Sequence, residues 1–232
     1  MMRKNLFGTL FALVVSGVAK ALRPVVASGV KSVLLFGQHE GEGKDECGTP
    51  ACEMLARVAV SHVRAGADGV APSAMMDGQI AAIRHALDKE GFQKVLLISY
   101  STKFASQMYG PFRDAENSAP GQGDRQGYQA SYRDVGTAIR ESDFDEDEGA
   151  DFLMVKSALF YLDLIRTLAD RTHLPVMAYN GSGEYSMIHA AAAAGYCDLY
   201  PTARESLYAI FRAGATQVIS YWAPFCREIF DS

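Results

Sequence analysis

Two lysines stand where they could do chemistry. Lys156 directly follows an apolar run at 152–155, and Lys103 follows another at 95–100. If the runs are neighbouring strands of a parallel sheet, the amines emerge at its carboxyl end, where α/β active sites are built, on backbones ~4.8 Å apart. Burial and a nearby cation both disfavour the ammonium form. One amine of such a pair can therefore be neutral near pH 7, attack a ketone and form a Schiff base. A lone lysine at a strand end is more often a surface cation, but two on consecutive strand ends weigh against that reading.

Other polar groups fall at the same end of the expected strands. Ser182 and Glu184 follow the run 175–179, and Tyr221 closes the run 217–221. The stretch from Tyr109 to Gln129 is long and rich in Gly, Asn, Ser and Pro, as lids and binding loops are. Its Arg113, Arg125 and Gln129 could grip a carboxylate through forked hydrogen bonds; a solvated loop is the competing reading. The acidic run 141–148 fits a solvated surface or a frayed helix end better than a site for a hard cation such as Mg²⁺. Cys47 and Cys52, with His39 and Glu40 nearby, lack zinc-site spacing. Gly181-Ser182-Gly183 is a turn and a weak signal for phosphate, and His189, in an alanine-rich helix, is structural.

These residues need a scaffold, and the rest of the chain supplies its rhythm. Runs at 32–36, 69–71, 95–100, 152–155, 175–179 and 217–221 are apolar without alternation, as in strands buried on both faces of a parallel sheet. Helical stripes lie between them: Ile80, Ile83, Ala86 and Leu87, with Asp77 as the expected cap; then Tyr161, Leu164, Ile165 and Leu168; then Leu207, Ile210 and Phe211. Glycines at 66, 149 and 214 separate helix from strand, with 29 and 91 in a similar part, and can take the left-handed conformation that ends a helix. Repeated strand–helix units predict a parallel α/β fold, either barrel or doubly wound sheet.

With 232 residues, 49% of them hydrophobic, the chain fits one globular domain. A net charge of −5 without a basic stripe argues against nucleic acid as a partner. Four irregularly spaced cysteines suit reduced thiols in a cytoplasmic protein. Residues 1–21 stand apart from a main domain at 22–232. There Arg3 and Lys4 precede an apolar run at 6–18, as in a targeting segment. Leu10, Leu13, Val14, Val18 and Leu22 also recur at helical spacing, and a helix is the favoured reading. The run is short for a membrane span.

Several motifs, in unbroken order, resemble the porphobilinogen synthase (5-aminolevulinate dehydratase) family. They are Tyr100-Ser101-Thr102-Lys103-Phe104-Ala105-Ser106, Tyr109-Gly110-Pro111-Phe112-Arg113-Asp114, Gly123-Asp124-Arg125, Tyr128-Gln129, Met154-Val155-Lys156 and Ser182-Gly183-Glu184-Tyr185. Residues 71–78 and 33–37 extend the likeness upstream. The resemblance implies a TIM (β/α)₈-type barrel and a homo-oligomer, commonly an octamer. It also implies a hydro-lyase that condenses two 5-aminolevulinate molecules to porphobilinogen in heme biosynthesis. Lys156 would form the Schiff base with the first substrate, and Lys103 a second one or help polarise that site. Ser182 and Tyr221 would bind the first carboxylate, and Arg113, Arg125 and Gln129 the second. Glu148 lies near the family's Mg²⁺ position.

The chain also departs from the family. Between 48 and 53 there is no room for the segment that carries the family's zinc ligands and one strand, so the zinc role is not transferred to Cys47 or Cys52. The first barrel strand has no counterpart either. An incomplete barrel of about six strands is expected, with open sheet edges. Ser157 replaces a proline, and Gly181 a valine. The alternative function is a catalytically impaired relative that binds aminolevulinate or modulates an oligomer.

Overall fold

The computed structural model describes residues 15–16, 33–36, 50–109 and 129–231. The six predicted strands are all present: β2 (Val33–Phe36), β3 (Gly69–Pro72), β4 (Leu96–Lys103), β5 (Phe152–Lys156), β6 (Val176–Asn180) and β7 (Gln217–Ser220). They lie side by side in chain order, and every neighbouring pair is parallel. A further pair of extended residues, β1 (Val15–Ser16), runs antiparallel along β7. These two residues are strand where a helix was the favoured expectation; the rest of 1–21 lies outside the described residues. Among the described residues β2 pairs only with β3, and β1 only with β7, so the ladder stays open. The architecture is an incomplete (β/α)₈-type barrel.

Among the described residues there are seven α-helices: α1 (Pro50–Arg64), α2 (Gln79–Lys89), α3 (Val135–Asp147), α4 (Leu162–Arg171), α5 (Ser182–Ala193), α6 (Leu199–Arg212) and α7 (Cys226–Phe230). Each predicted stripe faces the sheet. Ile80, Ile83 and Leu87 of α2 are buried with Leu97 and Leu153, and Leu164, Ile165 and Leu168 of α4 with Val155, Val176 and Val218. Burial on that scale is worth roughly 1.5–3 kcal/mol for each large side chain. Gly214 ends α6 at φ +118°, where a Cβ would meet the Ala169 Cβ at 2.6 Å, so both conformation and space require glycine.

One local expectation is corrected and another is refined. Asp77 does not cap α2; the cap position is Gly78, in the left-handed conformation and with no side-chain bond. The acidic run 141–148 is the helix end that was one of its two expected readings, since 141–147 form the second half of α3. That helix starts on Asp134, whose side chain accepts from Thr137 N, and Ala138 and Ser142 on its inner face are fully buried.

The strands sort their side chains by period two. Phe152, Met154 and Lys156 of β5, Met177 and Tyr179 of β6, and Ile219 of β7 point to the barrel interior. Leu153, Val155, Val176, Ala178 and Val218 meet the helices. Strand β4 obeys the same rule only because it carries a bulge. Ser99 pairs with Leu153 and Thr102 with Val155, so β4 advances three residues while β5 advances two. Ile98 and Tyr100 face inward. Simple alternation would put Thr102 inward and Lys103 outward. The extra residue reverses this phase, so Ser101 and Thr102 both turn toward α3 and Lys103 comes into register with Lys156.

Candidate active site

The lysine pair is fixed by backbone register: Lys103 and Lys156 are direct partners at the carboxyl ends of β4 and β5. Lys156 Nζ lies 4.2 Å from the ring centre of Tyr179, 5.2 Å from that of Tyr109 and 5.6 Å from that of Tyr100. Lys103 is only 7% exposed. Its Nζ donates to the Ser73 carbonyl and sits 5.9 Å from the ring centre of Tyr100. Both amines therefore flank one ring in one aromatic chamber, which meets the geometric condition for imine chemistry.

The phenols of Tyr100 and Tyr179 stay neutral. Burial, with Tyr221 beside it, pushes the Tyr100 hydroxyl far above the usual tyrosine range. Burial does the same to Tyr179, helped by Tyr100 and by a hydrogen bond with Tyr221. Neutral phenols offer aromatic faces to a cation and hydroxyls to a substrate oxygen without adding charge. Tyr221 thus joins the lysine chamber through Tyr179. Behind it Tyr185 packs on Trp222 with centroids 4.5 Å apart, and Trp222 stacks on His189 at 5.0 Å, which gives His189 the structural place expected of it.

Hydrogen bonds hold the surrounding chain onto the lysine strands. Tyr109 Oη donates to the Lys156 carbonyl at 2.8 Å, and Phe104 N donates to the same oxygen at 3.0 Å. Ala130 N donates to the Lys103 carbonyl at 3.0 Å. Gln129, next in the chain, is 4% exposed, and neither its amide nitrogen nor its amide oxygen meets a hydrogen-bond partner among the described residues. A buried amide in that state is suited to a polar ligand. Arg113 and Arg125 lie outside the described residues.

Ser182, 7% exposed, opens α5 immediately after β6. The turn before it is tied down by Glu184, which is fully buried. Its carboxylate accepts from Gly181 N, from Ala158 N at 3.0 Å and from Leu159 N. Burial raises its pKa, and the three backbone donors oppose that rise. Gly183 lets another segment come close: a Cβ there would lie 2.6 Å from the Met108 carbonyl oxygen and 2.7 Å from its Cα.

Glu148 is not part of the lysine chamber. Its Oε2 accepts from Ala81 N at 3.2 Å, in the first turn of α2. With Asp77, Glu141 and Asp145 it borders a cleft of about 170 Å³ between α2 and α3. Burial, together with these carboxylates, lifts Asp145 to about 7, while a hydrogen bond from Ser99 works the other way. Among the described residues no group of three or more His, Cys, Asp or Glu side chains could hold a metal ion. Cys52 is buried, with its thiol 3.7 Å from the Asp77 carbonyl. Cys47, His39 and Glu40 lie outside the described residues.

Sequence reasoning gave no role to Tyr100, Tyr109, Tyr179 or Glu184. The tyrosines of β4 and β6 could have been found from strand phase, since Tyr179 shares the period of Met177. Glu184 stands three residues after Gly181, the spacing at which a carboxylate can accept from the N-cap backbone, but glycine cannot supply the other half of a capping box.

The scaffold and chamber define an α/β-barrel protein with paired amines at the carboxyl end of its strands. A sequence model of the Delta-aminolevulinic acid dehydratase family matches residues 49–229, and the chain belongs to that family. The delta-aminolevulinic acid dehydratase of Halalkalibacterium halodurans is 53% identical over 174 residues, covering 75% of this chain and 53% of that protein. The enzyme of Escherichia coli is 54% identical over 171 residues, covering 74% and 52%. A crystal structure of the Toxoplasma gondii ME49 delta-aminolevulinic acid dehydratase (porphobilinogen synthase), in complex with the reaction product porphobilinogen, superposes with a TM-score of 0.75 at 44% identity. It covers 77% of this chain and 51% of that one. The chain thus spans about half the length of the curated relatives it matches. Among the described residues no helix is long and apolar enough to cross a membrane.

Proposed function

We propose that the chain carries the Schiff-base site of a porphobilinogen synthase and condenses two molecules of 5-aminolevulinate. The observation that carries this reading is the register pairing of Lys103 and Lys156, with both amines against the ring of Tyr100. The Lys156 amine attacks the substrate ketone, a C–N bond forms, and the carbonyl oxygen leaves as water with the two amine hydrogens, giving an imine. Lys103, held at its side, takes part in the second imine or polarises the first. Ser182 and Tyr221 hold the carboxylate of the first substrate, and Gln129 with Arg113 and Arg125 that of the second. These steps run through the chain's own amines, phenols and amide. With the reading go a homo-oligomeric state and a cytoplasmic location.

The test is reductive trapping. The chain is mixed with 5-aminolevulinate and borohydride, digested and examined by mass spectrometry. The expected product is a reduced adduct on Lys156, with loss of trapping in Lys156→Ala. If no lysine is modified at saturating substrate, the reading is wrong. An adduct without porphobilinogen would instead mark a protein that binds the substrate and stops there.

A further inference from the structure

The hydrogen bonds of Glu184 join the turn after Lys156 to the turn that bears Ser182. One carboxylate oxygen accepts from Ala158 N at 3.0 Å and from Leu159 N. Those residues form the turn that leaves β5 immediately after Lys156. The other oxygen accepts from Gly181 N, the residue before Ser182. Beside the Asn180 side chain, the partners of this fully buried carboxylate are three backbone N–H groups on two separate turns, so it ties the chain itself in place. We propose that Glu184 is a positioning residue that sets the distance between the imine-forming amine of Lys156 and the carboxylate-binding hydroxyl of Ser182, and so selects ketones that carry a carboxylate arm.

The proposal rests on the Schiff-base reading and deepens it. Without the staple, Lys156 keeps its strand, its register partner and its aromatic surroundings, so an amine able to form an imine survives. The lost property is the match between amine and carboxylate grip. A misplaced grip weakens substrates that use it and leaves substrates that lack it untouched, because only the former draw binding free energy from that contact.

Glu184→Gln tests this at the level of single atoms. A carboxamide has one oxygen. If that oxygen serves Ala158 N and Leu159 N, the NH₂ group faces Gly181 N–H, donor against donor, and the turn bearing Ser182 is released. Trapping with borohydride is followed against concentration for two ketones: 5-aminolevulinate, and aminoacetone, which has the same amino ketone but no carboxylate. The half-saturating concentration of 5-aminolevulinate is expected to rise about tenfold or more, the scale of one lost charge-assisted hydrogen bond. That of aminoacetone is expected to stay within about twofold, the scale of a change too small to reflect one lost bond. Glu184→Asp, which keeps the charge but is one methylene short of the same span, is the second variant and decides the matter if the glutamine protein does not fold. An equal rise for both ketones, or no rise for 5-aminolevulinate, overturns the proposal. Absence of any adduct in the unsubstituted protein instead overturns the Schiff-base reading itself.

Discussion

Ser142→Ala should loosen the bulge that turns Lys103 into the barrel. Ser142 is fully buried on α3. Its Oγ lies 3.1 Å from Ser101 Oγ, 3.0 Å from Thr102 Oγ1 and 3.1 Å from the Ala138 carbonyl. The bulge points two consecutive hydroxyls at one helix, and this third hydroxyl satisfies both. After the substitution Thr102 keeps only a long contact with the Ala138 carbonyl at 3.4 Å, and Ser101, 1% exposed, loses its hydroxyl partner. An orphaned buried hydroxyl costs about 1–3 kcal/mol. With one weakened neighbour, a loss of about 2–3 kcal/mol is expected, or roughly 5–10 °C in Tm for a chain of this size. The assay is guanidinium unfolding followed by circular dichroism, run as a cycle of Ser142→Ala, Ser101→Ala and the double variant. Removing Ser101 Oγ as well deletes the stranded group, so the double variant should be less damaged than the sum of the singles by about 1 kcal/mol. A Ser142→Ala protein within about 0.5 kcal/mol of the parent, or strict additivity in the cycle, would refute the account of the bulge.

Two further outcomes are expected. Asp145, lifted to about 7 by burial, holds a proton in the folded state between its ordinary value and about 7, where the unfolded chain does not. Its contribution to stability is therefore complete below about pH 4 and lost as pH rises through about 7. Asp145→Asn should flatten that slope and gain about 1–2 kcal/mol over the parent at pH 8 but little at pH 4, in chemical unfolding at both values; an equal effect at both would contradict it. Gly183→Ala places a methyl 2.6 Å from the Met108 carbonyl oxygen and 2.7 Å from its Cα. Because the obstacle is backbone, about 1–3 kcal/mol should be lost and the turn at Met108 displaced, which hydrogen exchange at Tyr109 would register; unchanged protection would show that the neighbour yields freely.

Much of the scaffold could be read from residues, because buried parallel strands have a plain signature. All six apolar runs became strands within one or two residues of the expected ends, except β4, which continues to Lys103. That exception is physical: the bulge leaves no mark in hydrophobic period, since the two residues it turns to the helix, Ser101 and Thr102, both carry small hydroxyl side chains. Helix α3 was hidden for a related reason. Its inner face is Ala138 and Ser142, its remainder strongly acidic, and nothing in such a pattern announces a core. The site was legible in part. Lys156 shows its direction through the alternation of β5. Glu184, by contrast, acts on backbone groups 25 and 26 residues away, contacts that no local spacing encodes.

The pairing of Lys103 with Lys156 is a rung of the sheet ladder. Side-chain packing can drift through many small replacements, each compensated by a neighbour. A rung has no such latitude, because its spacing belongs to the peptide groups and is the same whatever residues flank it. The separation of the two lysine backbones is thus inherited from sheet geometry, while the direction of Lys103 depends on the bulge that Ser142 helps to hold. Two lysines placed on facing loops would have needed continual selection to stay in reach of each other.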